Sequence, residues 1–122
     1  MDTVHYIYKI LPYDVGEKAA KSTNLPTLPI DEKDGFVHFS TLPQLVTTLN
    51  KHFSGHTRLV LVEVRVAALS PELRARLKWE KNHPEGDAYP HLYAQLPVAY
   101  VKKIYHIKLT PEGEFDIPDL SR

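Results

Sequence analysis

Apolar residues recur along this chain at two spacings, and each spacing predicts a kind of element. Residues 4–11 (VHYIYKIL) are rich in β-branched and aromatic side chains and predict a strand. Residues 36–40 (FVHFS) predict a short strand with Phe36, His38 and Ser40 on one face and Val37 and Phe39 on the other. Residues 58–66 (RLVLVEVRV) predict a strand whose first half is apolar on both faces, as in a central strand covered on each side. Residues 77–80 are expected to be extended, and residues 98–109 predict a final strand long enough to bend. The helical spacing appears in Leu42, Leu45, Val46, Leu49 and Phe53, which form one apolar stripe; Thr41 with Gln44 matches a capping box, and Gly55 is placed to end the helix.

Two further helices are predicted, one over residues 12–22 and one starting at Ser70-Pro71-Glu72 and running to about Leu77. Gly16 is expected to weaken the first by about 1 kcal/mol relative to Ala. Residues 23–35 contain Pro26, Pro29 and an Asp-Gly and read as a loop or irregular edge. Residues 81–88 read as a polar loop and 89–96 as a segment carrying His91 and Tyr93. The order β-α-β-α-β-α-β predicts an α+β fold, a small mixed sheet with about three helices, over residues 1–109, followed by a loosely packed tail, 110–122. The five glycines are scattered and none makes a Gly-rich turn after a strand, which disfavours a doubly wound nucleotide-binding sheet.

Composition narrows the class. With 122 residues, 43% hydrophobic and 25% charged, the chain can build one ordinary globular core. It has no cysteine, so disulfides, thiolate catalysis and Cys-based zinc sites are excluded, and a reducing compartment is favoured. The first residues do not read as a signal peptide, and no apolar run approaches the roughly 20 residues that span a bilayer. A soluble, cytoplasmic protein with no membrane partner is therefore expected. Formal net charge is zero and the densest basic spot is Lys102-Lys103, so general nucleic-acid binding is not expected, although a nucleotide or an RNA terminus needs only a few contacts.

No Walker loop, dinucleotide fingerprint, HExxH or nucleophile elbow is present, so any site must draw on residues distant in sequence. Two segments concentrate polar chemistry. In residues 34–41, His38 sits on a strand leading into a helix start, where imidazole could move a proton, and Ser40 and Thr41 sit beside that terminus with free backbone N–H groups nearby, a place that suits an anion or a phosphate. The alternative is a hydrogen-bonded core histidine and an ordinary cap. In residues 79–93, Glu80 follows Trp79, whose bulk could desolvate the carboxylate and raise its pKa; His91 and Tyr93 share a face if extended. The alternative has Trp79 and Tyr93 in the core and Glu80 solvated. Lys9 interrupts an apolar strand on the face of Ile7 and Leu11, either snorkelling to the sheet edge or offering charge to an anionic ligand. His38, His91 and Glu80 meet the inventory of a two-His, one-carboxylate set, yet no His pair has ligand spacing, and no metal is assigned. His5, His52, His56, His83 and His106 read as bland.

The runs Tyr8-Lys9-Ile10, Asp34-Gly35-Phe36-Val37-His38-Phe39-Ser40-Thr41, Gln44, Thr48, His52-Phe53, the strand at 59–64, Trp79-Glu80 and Pro90-His91-Leu92-Tyr93 resemble, in this order, the domain-of-unknown-function family 952. The resemblance covers about residues 6–101; Ala94 stands where a Gly is usual, and the segment after Leu109 is an extension. More weakly, the FVHFS strand with its helix and the LVLVEV strand resemble the catalytic half of tRNA 2′-phosphotransferases, with His38 and Ser40 matching a motif. That resemblance implies an ADP-ribosyltransferase-like fold, a split mixed sheet around a cleft, and NAD as cofactor or a nucleotide as ligand. It also implies a group on the first strand to hold a nicotinamide ribose, where this chain has Lys9. The expected site is thus His38, Glu80 and His91 for proton transfer, with Lys9, Asp34, Ser40, Thr41, Trp79 and Tyr93 around the ligand. Three readings follow: an enzyme of ADP-ribosyltransferase type, a metal-free acid–base enzyme on a non-nucleotide small molecule, or a non-catalytic binding domain.

Overall fold

A period of two sorts the side chains of an apolar strand onto two faces, and a central strand needs cover on both. The computed structural model describes residues 4–81 and 83–120. Its strands β1 (Tyr6–Pro12), β3 (Arg58–Arg65) and β6 (Val101–Lys108) form an antiparallel sheet in the order β1-β3-β6. Residues 59–64 of the central strand are all buried. Val60, Val62 and Val64 pack into one hydrophobic cluster with Ile7, Leu11, Val37 and Leu92. Leu59 and Leu61 pack into a second with Tyr8, Ile10, Leu45 and Leu49. Helix α1 (Tyr13–Ala19) lies on the first face, and α3 (Leu45–His52), entered through a 3-10 turn at Leu42–Gln44, covers the second.

A second antiparallel sheet holds β2 (Val37–His38), β5 (Ala88–Leu92) and β4 (Leu77–Lys81), in the order β2-β5-β4. Ser70 caps the short α4 (Pro71–Ala75) before it, its Oγ accepting from Leu73 N–H at 3.2 Å. The two sheets are linked beside β2, where Tyr8 and Ser40 exchange N–H···O bonds of 2.8 Å in both directions. The fold is therefore α+β with a split sheet, each half antiparallel in its pairings, and the sheets part beyond this junction to leave a cleft.

Three local expectations change. Residues 29–34 form a helix, α2 (Pro29–Asp34), inside the stretch expected to be a loop. Its signals are end signals: Pro29 at the first helical position, the Asp31 carboxylate accepting from Leu28 N–H at 2.7 Å, and Gly35 at φ 82° closing it. Six residues are too few to show a period. Val46, expected in the apolar stripe of α3, is 58% exposed, because the buried face is the narrow row Leu45, Leu49 and Phe53. The segment after Leu109 is not a loose tail. It turns back through a Leu109–Phe115 bridge and lays Phe115, Ile117 and the buried Leu120 on the second cluster. Among the described residues no helix is long and apolar enough to cross a membrane.

Candidate functional site

Helix α2 exists to place Asp31, a buried carboxylate that gathers donors from three elements. Lys9 Nζ on β1 donates to it at 2.9 and 2.7 Å, Leu28 N–H at 2.7 Å, His38 N–H at 3.0 Å and His38 Nδ1 at 2.7 Å. Burial alone pushes this carboxyl up, but the His38 hydrogen bond, the Lys9 charge and bond, and the Leu28 amide outweigh it and hold it at about 2, below the ordinary 3.8. Lys9 neither snorkels nor faces a ligand with a spare charge. It is 2% exposed, its ammonium ends on Asp31, and burial draws its pKa down against the pull of that partner. Ionised Asp31 only accepts, so His38 Nδ1 carries a proton. His38 Nε2 lies 3.0 Å from Asp34 Oδ2. A carboxylate there also only accepts, so this contact is a hydrogen bond when Nε2 carries a proton.

His91 stands directly across from His38 in the β2–β5 register, and the ring centroids are 5.5 Å apart. Phe36 packs against both, at 4.5 Å from His38 and stacked at 4.1 Å on His91. His91 is 3% exposed, and its Nδ1 lies 2.9 Å from Glu80 Oε1, which also accepts the Tyr93 hydroxyl at 2.7 Å. These bonds, Tyr93 first and His91 next, lower the Glu80 pKa; the same bond to Glu80 raises that of Tyr93. The expected upward shift at Glu80 is thus reversed. Trp79 does not desolvate it: alternation along β4 sends Trp79 to the opposite face, where it is 43% exposed. Tyr93, 38% exposed, is not core either. Ionised Glu80 only accepts, so the bond places a proton of His91 on Nδ1.

The two imidazoles line a cavity of about 370 Å³. Of the residues expected around the ligand, Lys9 and Ser40 also line it; Asp34 and Glu80 reach it through the histidines they bond, Tyr93 through Glu80, and Thr41 and Trp79 do not line it. Beside the helix start, the N–H groups of Ser40 and Thr41 are themselves used. Ser40 N–H donates to Tyr8 O at 2.8 Å, and Thr41 N–H donates to Gln44 Oε1 at 3.0 Å. Ser40 Oγ shares a 2.8 Å bond with Thr48 Oγ1.

One wall was invisible in the apolar pattern. Gln44, Thr47, Thr48, Lys51 and His52 follow one another at helical spacing along α3 and line the cavity from its start to its end. The loop before β5 supplies the facing wall with His83, Glu85 and Asp87, and Gln44 Nε2 ties the two together by donating to Ala88 O at 2.8 Å. His52, bland in the sequence, is part of this wall, and burial, Lys51 and His38 draw its pKa down. Reading polar residues at i, i+3/4 and i+7/8 beside the apolar stripe would have found it. Asp31 had no comparable signal beyond the Pro29–Gly35 helix ends. Among the described residues no group of three or more His, Asp or Glu side chains converges as a metal-ligand set.

Comparison with known proteins places these residues in context. The profile of a family described as "Protein of unknown function (DUF952)" matches residues 10–104. The crystal structure of protein CC0527 from Caulobacter crescentus is 32% identical, with a TM-score of 0.76 over 91% of this chain and 93% of that one. Its solution NMR structure is 34% identical, with a TM-score of 0.73 over 89% and 90%. No curated protein matches.

Proposed function

We propose, for a chain that belongs to DUF952, a family of proteins of unknown function, that the cleft is an acid–base site for a small polar molecule, with His38 the proton donor and His91 the acceptor. One observation carries this reading. Two cross-strand imidazoles share a cavity, and each is turned by a different carboxylate bonded at Nδ1, Asp31 for His38 and Glu80 for His91. Their surroundings differ in the way that separates an acid from a base. His38 meets a carboxylate at each ring nitrogen, whereas His91 meets one and is stacked on Phe36. With Nδ1 committed, each ring presents Nε2 to a substrate: His38 gives a proton from it once Asp34 moves aside, and His91 takes one.

A metabolite panel screened by thermal shift, followed by turnover of the hits, tests the reading. Turnover should show a bell-shaped pH dependence, and His91→Gln and His38→Gln should each lose about 10²–10⁴-fold in kcat. Glu80→Gln should retain part of the activity but move the limb that belongs to the base, since it alters the ring's orientation and charge and not its presence. Full activity in either histidine variant ends the proposal.

A nucleotide such as NAD is the second reading, supported by the resemblance to tRNA 2′-phosphotransferases and by a cavity of about 370 Å³, within the range of small-molecule sites. The fit is incomplete at the first strand, where Lys9 is the single cation and its ammonium is held by Asp31. No step is derived through NAD. Thermal unfolding with and without millimolar NAD separates the readings. A rise of about 5–15 °C that disappears in a folded His38→Ala variant would put the nucleotide first; the acid–base reading expects no rise.

A further inference from the structure

Two aspartates hold His38, and they are not alike. Asp31 is buried and bonded from three elements, so it cannot leave without unfolding its surroundings. Asp34 sits at the end of α2 with its side chain 37% exposed, and its carboxylate has one polar contact among the described residues, the 3.0 Å bond to His38 Nε2. Gly35, at φ 82°, follows it and gives the chain a turn that other residues rarely adopt. A carboxylate of the protein therefore occupies the position on His38 through which the cavity would be served.

We infer that the natural ligand of the cleft carries an oxyanion, a carboxylate or a phosphate, which replaces Asp34 on His38 Nε2. The inference rests on the acid–base reading of the same cleft and names its substrate class. A group that donates to one carboxylate at 3.0 Å accepts another oxyanion with the same geometry. The α3 wall supplies a second cation. Lys51 lines the same cavity, and none of the ion pairs among the described residues uses it. His52 stands beside it, and its pKa is drawn down first by burial and then by the charges of Lys51 and His38. Glu85 and Asp87 lie on the facing loop and oppose an anion, which favours a ligand whose charged end lies toward α3 and His38 and away from that loop. The apolar part of the cavity, Ile10, Phe39 and Phe53, then receives the rest of the molecule.

The experiment is a titration of the full chain with inorganic phosphate and with acetate at constant ionic strength, followed by the ¹⁵N resonance of His38 Nε2. Wild type should bind weakly and saturably. Asp34→Asn, which replaces the charged competitor at Nε2 with a weaker neutral amide acceptor, should bind about tenfold more tightly, the size expected for removing one exposed charge-assisted competitor. Lys51→Gln should weaken binding in both backgrounds. Glu85→Gln is the control for simple loss of negative charge: it removes an anion from the cavity wall that does not touch His38, so it should change affinity far less. A preference for phosphate over acetate assigns a phosphorylated ligand, and the reverse a carboxylate. The inference falls if Asp34→Asn binds no tighter than wild type, if Glu85→Gln tightens binding as much, or if tens of millimolar of either anion leave the His38 resonance unmoved. The readout is binding alone. Oxyanion binding without turnover of any hit would sink the acid–base reading and leave this one, and turnover of neutral molecules without an anion response would do the reverse.

Discussion

At the scale of the residue, Asp31 is the hub. It neutralises Lys9, orients His38 and caps α2. Replacing it with Asn leaves the Lys9 ammonium buried without its counter-charge, and removing one partner of a buried pair costs about 3–5 kcal/mol. Urea unfolding of Asp31→Asn should show a loss of that size, and adding Lys9→Met should recover at least half of it, because the stranded charge goes with the lysine. A loss under about 1 kcal/mol in the single variant would mean that Asp31 is not the hub. Acid should reveal the same group. Its carboxyl is held at about 2, below the ordinary 3.8, so its contribution is complete above the unfolded value and disappears as pH falls from about 4 toward 2. The separation corresponds to about 2 kcal/mol, and it should be missing from the acid limb of the Asp31→Asn variant.

At the scale of the element, helix α1 reverses what propensity predicts. Gly16 reads as a weak point that Ala would improve by about 1 kcal/mol. In the fold it lies hard against Val60 of the central strand. A Cβ there would lie 2.5 Å from Val60 Cγ2 and 2.6 Å from Val60 Cβ, and Val60 is fully buried. Overpacking of this kind costs about 1–3 kcal/mol, which outweighs the helical gain. Gly16→Ala should therefore lower the unfolding midpoint, and Val60→Ala in the same chain should lose less than the two single losses combined. A rise in midpoint for Gly16→Ala would show that α1 can shift outward freely. The α3 helix shows the complementary case. Its apolar row is narrow because its other flank is the polar wall of the cavity, so the element serves core and site at once.

At the scale of the whole molecule, the two sheets are separate structures joined by the Tyr8–Ser40 exchange and by the core that packs between them. The cleft is the gap that remains. The second cluster is closed by the segment after Leu109, through Phe115, Ile117 and Leu120. Leu120 is 4% exposed although it lies near the end of the chain. Leu120→Ala should cost about 2–5 kcal/mol, the range for truncating a buried leucine. Truncation after Leu109 should cost more. A truncated chain as stable as the full one would mean that this packing contributes nothing. The effect also reaches the site, since the cluster that Leu120 closes contains Leu45 and Leu49, which seat α3 and with it the cavity wall.

The sequence by itself determined the α+β class, the central strand, the caps at Thr41 and Ser70, and the two segments that carry His38 and His91. Each of these is written in a local period or a cap, and local signals act within a turn or a strand. Tertiary structure alone decided the rest. Asp31 is 22 residues from Lys9 and His91 is 11 from Glu80, and such contacts depend on helix placement and on register between strands, which sequence periodicity does not specify. Register brought His38 opposite His91 and, with the bonds it gave Glu80, reversed the direction in which Glu80 titrates; the packing of α2 against β1 committed Lys9 to a carboxylate. Which residues can do chemistry was legible from their types. Which of them remain available was settled by the partners that folding gave them, because a charge or a donor already satisfied inside the fold has nothing left for a ligand.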